Sequence, residues 1–317
     1  MDNIFKWGNR RRFNSYADYC KRIYGGRLQK LSIDAGLTCP NRDGYIAYGG
    51  CIYCDGKSFN PSYCNSGLSI ADQIKEGILF HKKRYKRAVG YIAYFQTYSN
   101  TYCSVDKLRN MCEEVLRCDG VVGISIGTRA DCLNNDIMDY LVELKERIHL
   151  MLEIGIESCY EETLNLINRG HSFKDVLNAL RICKERGIDV CGHFIFGLPG
   201  ESKEMIINEA VEISKLPLKS IKIHQFQLIK GTVVESMYNS NKDLFKMYSL
   251  EEYVDLVIDF LERLNPNIMI ERLSGEVPPK YLVLNSFGLI RSNKILSIIE
   301  KRMEDKDTWQ GKSLYNV

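Results

Sequence analysis

The residues best suited to chemistry in this 317-residue chain are three cysteines that follow the first predicted strand. Cys39, Cys51 and Cys54 have the spacing C-x11-C-x2-C, and the two-residue gap lets the last two thiolates bind one metal centre. Gly49 and Gly50 would let the backbone fold tightly around that centre. Three thiolates leave a tetrahedral zinc ion one ligand short, whereas a 4Fe-4S cluster on three cysteines keeps one iron free for a small molecule. The ligand count therefore favours a reactive cluster.

A structural alternative remains open at the same loop. Cys64 would supply a fourth thiolate, and the loop would then hold a structural zinc ion. The chain has twelve cysteines, and its first residues lack the apolar segment of an export signal, which favours metal or redox chemistry over disulfides. The other cysteines are scattered, mostly on apolar faces where a buried thiol packs as a small hydrophobe, and they receive no role.

Alternating β-branched runs and amphipathic stretches predict the elements that position this loop. Between residues 29 and 230 the pattern is that of consecutive βα units, six in number, which is fewer than the eight of a closed barrel. We therefore predict an α/β fold, a partial (β/α)6 TIM-type barrel with N-terminal and C-terminal extensions, with its chemistry at the carboxyl ends of the strands. The predicted strands are Gln29–Asp34, Tyr91–Gln96, Val121–Gly127, His149–Glu157, Asp189–Phe196 and Ser220–Leu228.

The same pattern divides the chain into three segments. Residues 1–28 form a basic N-terminal extension, residues 29–230 the partial barrel, and residues 231–317 a C-terminal extension packed on the barrel. Within the barrel, Ser172 predicts a capped helix start and Gly187 the end of that helix. The C-terminal extension is predicted to contain a helix with a capping box at Ser249 and Glu252, a strand Ile268–Leu273 and a helix near Leu289–Arg302.

Composition and charge narrow the class of protein. With 45% apolar and 26% charged residues, the chain buries a sizeable core, which excludes a disordered chain. The formal net charge of +3 is too small to prove a nucleic-acid or membrane partner. No apolar run approaches the roughly 20 residues of a membrane span. We therefore expect a cytoplasmic protein without a membrane partner.

The cysteine loop and its flanks resemble the radical S-adenosylmethionine (radical SAM) superfamily. The widespread spacing there is C-x3-C-x2-C, and the longer first gap is similar to the YhcC/YtqA-like branch, which in turn resembles the radical SAM domain of elongator-type tRNA-modifying enzymes. The resemblance implies a cluster held by the three cysteines and S-adenosyl-L-methionine as cofactor. The segments that carry it are Ser32-Ile-Asp-Ala-Gly-Leu-Thr-Cys-Pro-Asn-Arg-Asp-Gly44 and Gly50-Cys-Ile-Tyr-Cys54, within a likeness from Arg12 to Lys312.

This resemblance also implies that loops at the strand ends hold S-adenosyl-L-methionine. Amide and hydroxyl oxygens would accept from its ammonium, a guanidinium would bind its carboxylate, a buried carboxylate would bind its ribose, and an apolar segment would cover its adenine. The predicted residues are Gln96, Thr97 and Ser99 for the ammonium, Arg129 for the carboxylate, Glu157 and Ser158 for the ribose, and Phe196 and Gly197 for the adenine.

Each of these assignments has an ordinary structural alternative. The segment at residues 96–101 also suits a polar turn, and Arg129 also suits an internal ion pair with Asp131. Glu157, which shares one strand face with Glu153 by the period of two, also suits a salt bridge to a neighbouring strand. The glycine-containing segment after the fifth strand also suits a tight turn into a helix.

Substrate recognition is expected from the sixth strand and the C-terminal extension. His193 and His224 have an alternative as core histidines with one hydrogen-bond partner each, and no residue is assigned a catalytic role. The substrate-side candidates are His224, Gln225, Lys230 and Arg272.

For the substrate, the resemblance implies transfer RNA. The implied reaction removes the carboxymethyl group of 5-carboxymethylaminomethyl-(2-thio)uridine at the wobble position and leaves 5-aminomethyl-(2-thio)uridine, with an electron donor such as flavodoxin or ferredoxin. Basic residues at 81–87 and tyrosines such as Tyr48 and Tyr85 suit phosphates and unpaired bases. Two alternatives remain open: radical SAM chemistry on a small molecule such as a tetrapyrrole, and a zinc-stabilised RNA-binding module without turnover.

Overall fold

The computed structural model describes residues 4–56, 60–83 and 87–315. Its centre is a curled sheet of seven parallel strands that pair with one another in chain order. Both faces of most strands are buried, as the continuous apolar runs in the sequence predict. The strands are β1 Arg27–Ile33, β2 Ala88–Phe95, β3 Val121–Thr128, β4 His149–Glu157, β5 Val190–Phe196, β6 Ser220–Gln225 and β7 Met269–Arg272.

The two edges of the sheet approach each other without forming a ladder. Lys30 on β1 lies 2.7 Å from a carboxylate oxygen of Glu271 on β7, so the sheet curls far enough for its first and last strands to share an ion pair. Among the described residues the strand pairings end at β6 with β7, which leaves the barrel open. The predicted partial barrel in an α/β fold is confirmed.

The sheet has one strand more than predicted. The strand expected at Ile268–Leu273 in the C-terminal extension forms as β7 and pairs in parallel with β6, so it continues the barrel sheet. The sixth strand is shorter than the predicted Ser220–Leu228, because β6 ends at Gln225. The residues after it turn toward the barrel opening, where Gln227 and Ile229 line a cavity.

Helices cover the outer face of the sheet, and polar side chains cap most of their starts. Ser172 and Asp175 form the predicted capping box, as do Ser249 and Glu252, and Gly187 follows the fourth barrel helix in the left-handed conformation (φ 64°). The helices are α1 Tyr16–Tyr24, α2 Ile70–Lys82, α3 Val105–Leu116, α4 Asn135–Lys145, α5 Glu161–Leu166, α6 Phe173–Glu185, α7 Lys203–Ile213, α8 Val233–Ser240, α9 Leu250–Leu261 and α10 Ser292–Asp305.

The main core lies between this sheet and the helices around it. The apolar side of α9 is fully buried there, with Tyr253 and Phe260 among its largest side chains. The two ends of the described chain meet behind the sheet, where Gln310 accepts a hydrogen bond from the N–H of Asn14 at 2.9 Å. In the described part of the chain every helix is too short or too polar to cross a lipid bilayer.

Candidate active site

A cavity of about 280 Å³ opens where the strands end. The cysteine loop and the carboxyl ends of strands β2 to β7 form its wall, the position at which barrels of this type carry their chemistry. The predicted residues that line it are Cys39, Cys51, Cys54, Gln96, Thr97, Arg129, Glu157, His224, Gln225 and Arg272. The predicted residues outside the lining are Ser99, Ser158, Phe196, Gly197 and Lys230.

Backbone turns hold the cysteine loop in a tight fold. The N–H of Cys54 donates to the carbonyl oxygen of Cys51 at 3.0 Å, which closes the short turn between these ligand candidates. Gly49 and Gly50 have φ angles of 84° and 87°, a left-handed conformation that other residues adopt only with strain. This conformation agrees with the tight fold expected of the glycine pair, and the turn brings Cys51 and Cys54 to the cavity wall together with Cys39.

Three N–H donors point at sulfur atoms of this loop. Asn41 Nδ2 lies 3.7 Å and Arg169 Nη1 3.6 Å from Cys51 Sγ, and Arg42 Nη1 lies 3.6 Å from Cys54 Sγ. Donors of this kind stabilise sulfur in its anionic form and tune an iron–sulfur cluster. The surroundings of these cysteines therefore fit a centre built on thiolates.

Cys64 lies apart from the other three cysteines. It sits beside Asp34, and burial raises the pKa of its thiol to about 12. Burial, followed by Cys51, raises the pKa of Cys54 to about 11, and Cys39 acts in the same direction. Within the described residues no group of three or more His, Cys, Asp or Glu is arranged to hold a single metal ion. Cys64 is also absent from the cavity wall that the other three cysteines line.

The loop after β2 brings two of its three predicted side chains to the cavity. The side-chain oxygen of Gln96 accepts a hydrogen bond from Ser32 Oγ at 2.8 Å, and Thr97 lies beside it in the wall. Ser99 is fully buried behind them, 3.2 Å from Thr128 Oγ1. Because its hydroxyl belongs to this internal contact, only Gln96 and Thr97 remain candidates for the cofactor's ammonium.

Arg129 forms the internal ion pair that the sequence left open. Its Nε and Nη2 lie 2.8 Å from the two carboxylate oxygens of Asp131, a bidentate arrangement. Its Nη1 donates to the carbonyl oxygen of Arg169, also at 2.8 Å. Arg129 lines the cavity, but Asp131 already balances its charge. It would therefore bind a further carboxylate only through N–H groups that Asp131 and the carbonyl oxygen of Arg169 do not use.

Glu157, the last residue of β4, has an unusual backbone conformation. Its φ of 71° is left-handed although it is not glycine, and strained residues of this kind gather at functional sites. As predicted, Glu153, Gly155 and Glu157 share the face that lines the cavity. Burial raises the pKa of Glu157 in spite of Arg169, whose Nη2 lies 3.5 Å from its carboxylate. A carboxylate in this position suits the hydroxyls of a ribose.

Ser158, the next residue, faces the opposite way. Its hydroxyl oxygen lies 2.6 Å from Glu201 Oε1 and 2.9 Å from Glu209 Oε1, and both glutamates are buried. We refer to these three residues as the Ser158 cluster. Its partners lie on the loop after β5 and on α7, on the helix side of the sheet. The expectation that Ser158 would bind ribose is not met by this geometry, because the strand's alternation turns it away from the cavity.

The apolar side chains in the cavity wall are not the predicted ones. Phe196 packs in the core against Phe260 with ring centroids 4.8 Å apart, and Gly197 (φ 86°) turns the chain beneath Tyr248. Ile195, one residue earlier on β5, and Phe226, just after β6, line the cavity instead. Phe196 and Gly197, which were predicted to cover the adenine, therefore lie outside the cavity lining.

Arg169 is a site residue that the sequence analysis missed. Besides facing Cys51, it donates from Nη2 to the carbonyl oxygen of Gly155 at 2.6 Å, so it joins the cysteine loop to the end of β4. It lies between Asn168 and Gly170, both of which have positive φ. The only signal in the sequence that could have indicated Arg169 was its position as a cation in the turn after a short helix.

A network of buried ion pairs lies deeper in the barrel. Glu153 is fully buried, and its carboxylate lies 2.5 Å from Lys30 Nζ, 2.8 Å from His193 Nε2 and in contact with Lys222. The carboxylate of Glu271 lies 2.7 Å from Lys30 Nζ and 3.7 Å from Lys222 Nζ. We refer to these five residues as the ion-pair network. Burial alone would raise the pKa of Glu153, but Lys222 and Lys30 reverse this and hold it well below its usual range.

Lowered pKa values favour the uncharged form of two histidines in this region: His193, which belongs to the ion-pair network, and His224, which lies beside it. Burial, followed by Lys222, lowers the pKa of His193 to about 4, and burial, followed by Arg272, lowers the pKa of His224 well below its usual value. His193 donates to Glu153, so the alternative of a core histidine with one partner holds for it. His224 receives a hydrogen bond from Arg272 through its Nε2.

Three of the four substrate-side candidates reach the cavity. His224, Gln225 and Arg272 line it, and the side-chain amide of Gln225 exchanges two hydrogen bonds of 2.9 Å with the backbone of Gly275. Lys230 is exposed outside the lining, and its N–H donates to the carbonyl oxygen of a residue in the C-terminal extension. Gln225 therefore shapes the wall, whereas Arg272 keeps donors available.

The outer rim of the cysteine loop carries exposed aromatic side chains. Tyr45 and Tyr48 are 79% and 82% exposed, and the ring centroid of Tyr45 lies 6.1 Å from that of Tyr102. Tyr85 and its neighbours at 84 and 86 lie outside the described residues, and the predicted basic and aromatic surface at 81–87 is therefore described only at its ends.

The chain matches two known domain families along its length. Residues 39–210, beginning at the first cysteine of the loop, match the Radical SAM superfamily, and residues 218–305 match the Radical_SAM C-terminal domain. The protein YtqA of Bacillus subtilis (strain 168) is 35% identical over 313 residues, which is 98% of this chain and 96% of YtqA.

Two further similarities concern enzymes of larger size. A protein of Methanocaldococcus infernus named tRNA uridine(34) acetyltransferase is 30% identical over 189 residues, 58% of this chain and 34% of that protein. The solved structure of the Elp3 protein of the same archaeon aligns with a TM-score of 0.67 and 19% identity, over 89% of this chain and 64% of the other. The latter similarity establishes the same fold.

Proposed function

This chain belongs to the radical SAM superfamily, and we propose that it acts on transfer RNA, removing the carboxymethyl group of 5-carboxymethylaminomethyl-(2-thio)uridine at the wobble position. Enzymes of this superfamily use a 4Fe-4S cluster and S-adenosyl-L-methionine. The observation that carries the proposal is the three-cysteine loop, with its N–H donors, in the wall of a cavity at the strand ends. The related protein named for tRNA uridine(34) supports the choice of substrate.

The residues of this chain divide the work of holding the cofactors. Cys39, Cys51 and Cys54 would hold the cluster, and Arg42 and Arg169 would stabilise its sulfur ligands through their N–H groups. The cofactor's ammonium, carboxylate and ribose would meet the polar wall, and its adenine the apolar wall. The residues proposed for these contacts are Gln96, Thr97, Arg129, Glu157, Ile195 and Phe226.

When bound, the reduced cluster splits S-adenosyl-L-methionine and supplies a 5′-deoxyadenosyl radical that removes a hydrogen atom from a C–H bond. The protein must hold the substrate in place and keep water away, because such a radical reacts with whatever lies nearest. His193 and His224 line the cavity and have hydrogen-bond partners, which hold this part of the wall in place beside the substrate.

The proposed reaction is a two-electron oxidation followed by hydrolysis. One hydrogen atom leaves the methylene group between nitrogen and carboxylate, and the resulting carbon radical loses one electron to an iron–sulfur acceptor and its N–H proton to water, forming an imine. Water adds to the imine carbon, and the C–N bond breaks. The products are the aminomethyl uridine and glyoxylate, in equal amounts.

The test uses tRNA from cells that lack the gene. Enzyme reconstituted anaerobically with iron and sulfide is expected to convert the carboxymethylaminomethyl nucleoside to the aminomethyl nucleoside, measured by mass spectrometry, with one glyoxylate per conversion. Cys51→Ser is expected to abolish iron binding and turnover, whereas the matched Cys64→Ser keeps both, because Cys64 lies outside the loop. Aminomethyl nucleoside without glyoxylate would reject the reaction, and equal iron loss in both variants would reject the ligand set.

A further inference from the structure

Four arginines line the cavity, and three of them have an anionic partner within the described residues. Arg129 pairs with Asp131, Arg169 with Cys51 and Glu157, and Arg42 with Cys54. Arg272 is the exception: in the described part of the chain no carboxylate lies within 4.0 Å of it, and no cysteine sulfur is bonded to it. A guanidinium in a cavity wall without a counter-charge is costly to maintain and points to an absent anion.

The contacts of Arg272 hold its guanidinium in place without neutralising it. Nη2 donates to Nε2 of His224, whose pKa is lowered by burial, and Nε is buried without a hydrogen-bond partner among the residues that the structure describes. His224 in turn packs against Gly275, where a Cβ atom would come within 2.5 Å of Nδ1, so the ring has little room to move. An oriented, incompletely bonded guanidinium of this kind is ready to bind a planar anion.

The charge at this end of the cavity indicates which anion. Lys30, Lys222 and Arg272 carry three positive charges against two negative charges on Glu153 and Glu271, because the neighbouring histidines are neutral. The local excess is one positive charge. A single carboxylate balances it, whereas a second anionic group would again leave charge unpaired in a buried site.

We propose that Arg272, oriented by His224, binds the carboxylate of the substrate's side chain and so determines the specificity of the enzyme for the carboxymethylaminomethyl group. This inference rests on the proposed function. The carboxylate is adjacent to the methylene that loses its hydrogen atom, so anchoring it fixes that carbon one bond from the anchored group. Substrate and product both carry a cationic amine, but the product lacks the carboxylate that balances it. Arg272 therefore repels the product, so the same residue favours product release.

The test is a pair of affinities. Cluster-loaded enzyme with S-adenosyl-L-methionine, kept without reductant so that no turnover occurs, is titrated with tRNA bearing either the carboxymethylaminomethyl or the aminomethyl nucleoside. Wild-type enzyme is expected to bind the first about 10-fold more tightly, which corresponds to about 1.4 kcal/mol. Arg272→Gln is expected to bring the ratio to about 1, and Arg272→Lys to leave part of it.

Arg181→Gln is the matched control, because Arg181 is 58% exposed on α6 and pairs with Glu185 away from the cavity. This control must keep the ratio of the wild type. An unchanged ratio in Arg272→Gln overturns the proposal, and so does an equal loss of affinity for both tRNAs, which would show that Arg272 contacts a backbone phosphate. Thermal unfolding and cluster absorbance check that the variants fold.

A separate wild-type measurement distinguishes the two levels of inference. If the wild type releases glyoxylate from the tRNA but binds both tRNAs equally, the carboxylate-binding role fails while the proposed function stands. If it neither converts nor distinguishes them, both fail together.

Discussion

Besides Glu157, the described residues include two pairs of buried carboxylates, which lie on opposite sides of the sheet and differ in charge. In the ion-pair network, Glu153 and Glu271 lie among Lys30, Lys222 and His193, and the lysines hold the pKa of Glu153 well below its usual range. In the Ser158 cluster, Glu201 and Glu209 have no Lys, Arg or His within ion-pair distance among the described residues. The first pair is therefore ionised, whereas the second must hold a proton.

Hydrogen-bond counting supports the same conclusion for the Ser158 cluster. A serine hydroxyl has one hydrogen, yet Ser158 Oγ lies 2.6 Å and 2.9 Å from two carboxyl oxygens. One of the two carboxyl groups must therefore supply the proton of the other bond. In agreement, burial raises the pKa of Glu201 to about 7, and burial together with Glu201 raises the pKa of Glu209 to about 8.

The difference follows from what each region does. The ion-pair network borders the cavity, where fixed charges position a charged substrate and keep their direction during a reaction. The Ser158 cluster joins the end of β4 to α7 behind the cavity, where a shared proton lets two acids serve as hydrogen-bonding side chains. Burial of a carboxylate thus indicates a reactive site only when cations accompany it.

Removing a cation from the network is expected to have the largest effect. Lys222→Met leaves Glu153 and Glu271 with one lysine between them, and breaking a buried pair from one side typically costs about 3–5 kcal/mol. The free energy of unfolding in urea at pH 7 measures this. Lys219→Met is the control, because Lys219 is exposed and its pair with Asp189 at 3.4 Å is screened by water. Equal losses in both variants would contradict the comparison.

The second expected difference between the two regions is the pH dependence of the free energy of unfolding. Glu201 and Glu209 have raised pKa values, so the folded state binds protons more tightly than the unfolded state between about pH 4.5 and 8. Their contribution is complete below pH 4.5 and is lost as the pH rises through 7 to 8. The hydrogen bonds of the cluster require one shared proton, and each pKa unit is worth about 1.4 kcal/mol. Release of that proton, with a pKa between about 7 and 8, is therefore expected to cost about 3 kcal/mol from pH 5 to 8.

The control for this slope is the double variant Glu201→Gln/Glu209→Gln, which keeps the shape of both side chains and removes both titrating groups. Its unfolding free energy is expected to vary much less over the same range. Glu153 behaves in the opposite sense, because a lowered pKa gives stability that is lost only as the pH falls below about 4.5. A slope that persists in the double variant would place the titrating group outside the Ser158 cluster.

The two regions also differ in how far the sequence predicts them. The strands and helices follow from local periodicity, and the face shared by Glu153 and Glu157 follows from the alternation along β4. The seventh strand was predicted but assigned to an extension, because nothing local indicates that β7 pairs with β6 across α8 and α9. Local patterns thus predict elements and faces, but not every neighbour.

Contacts between distant segments account for what was missed in the site. Ser158 adjoins Glu157 in sequence, yet its partners lie 43 and 51 residues away and hold it on the other side of the sheet. Arg169 meets Cys51 over 118 residues, a contact made only when the turn after α5 folds onto the cysteine loop. Such long-range contacts depend on tertiary packing, which cannot be predicted from the composition of the chain or from the spacing of its residues.

Loss of the shared hydroxyl tests the structural role of the Ser158 cluster. Ser158→Ala leaves two buried carboxyl groups without their common partner, and a buried polar group left unsatisfied costs about 1–3 kcal/mol. We expect the unfolding free energy to fall by this amount while the affinity for S-adenosyl-L-methionine stays unchanged, with Glu157→Gln as the variant that lowers the affinity. Weaker cofactor binding at unchanged stability would instead return Ser158 to the ribose.

The smallest effect is expected from removing a hydrogen bond at the ion-pair network. His193→Phe keeps an aromatic ring but deletes one donor to Glu153, which still has Lys30 and Lys222. A neutral histidine contributes one hydrogen bond, so the unfolding free energy at pH 7 should fall by about 1 kcal/mol. A loss near that of Lys222→Met would mean that His193 is charged, and the network would then owe its ionised state to three cations rather than to two lysines.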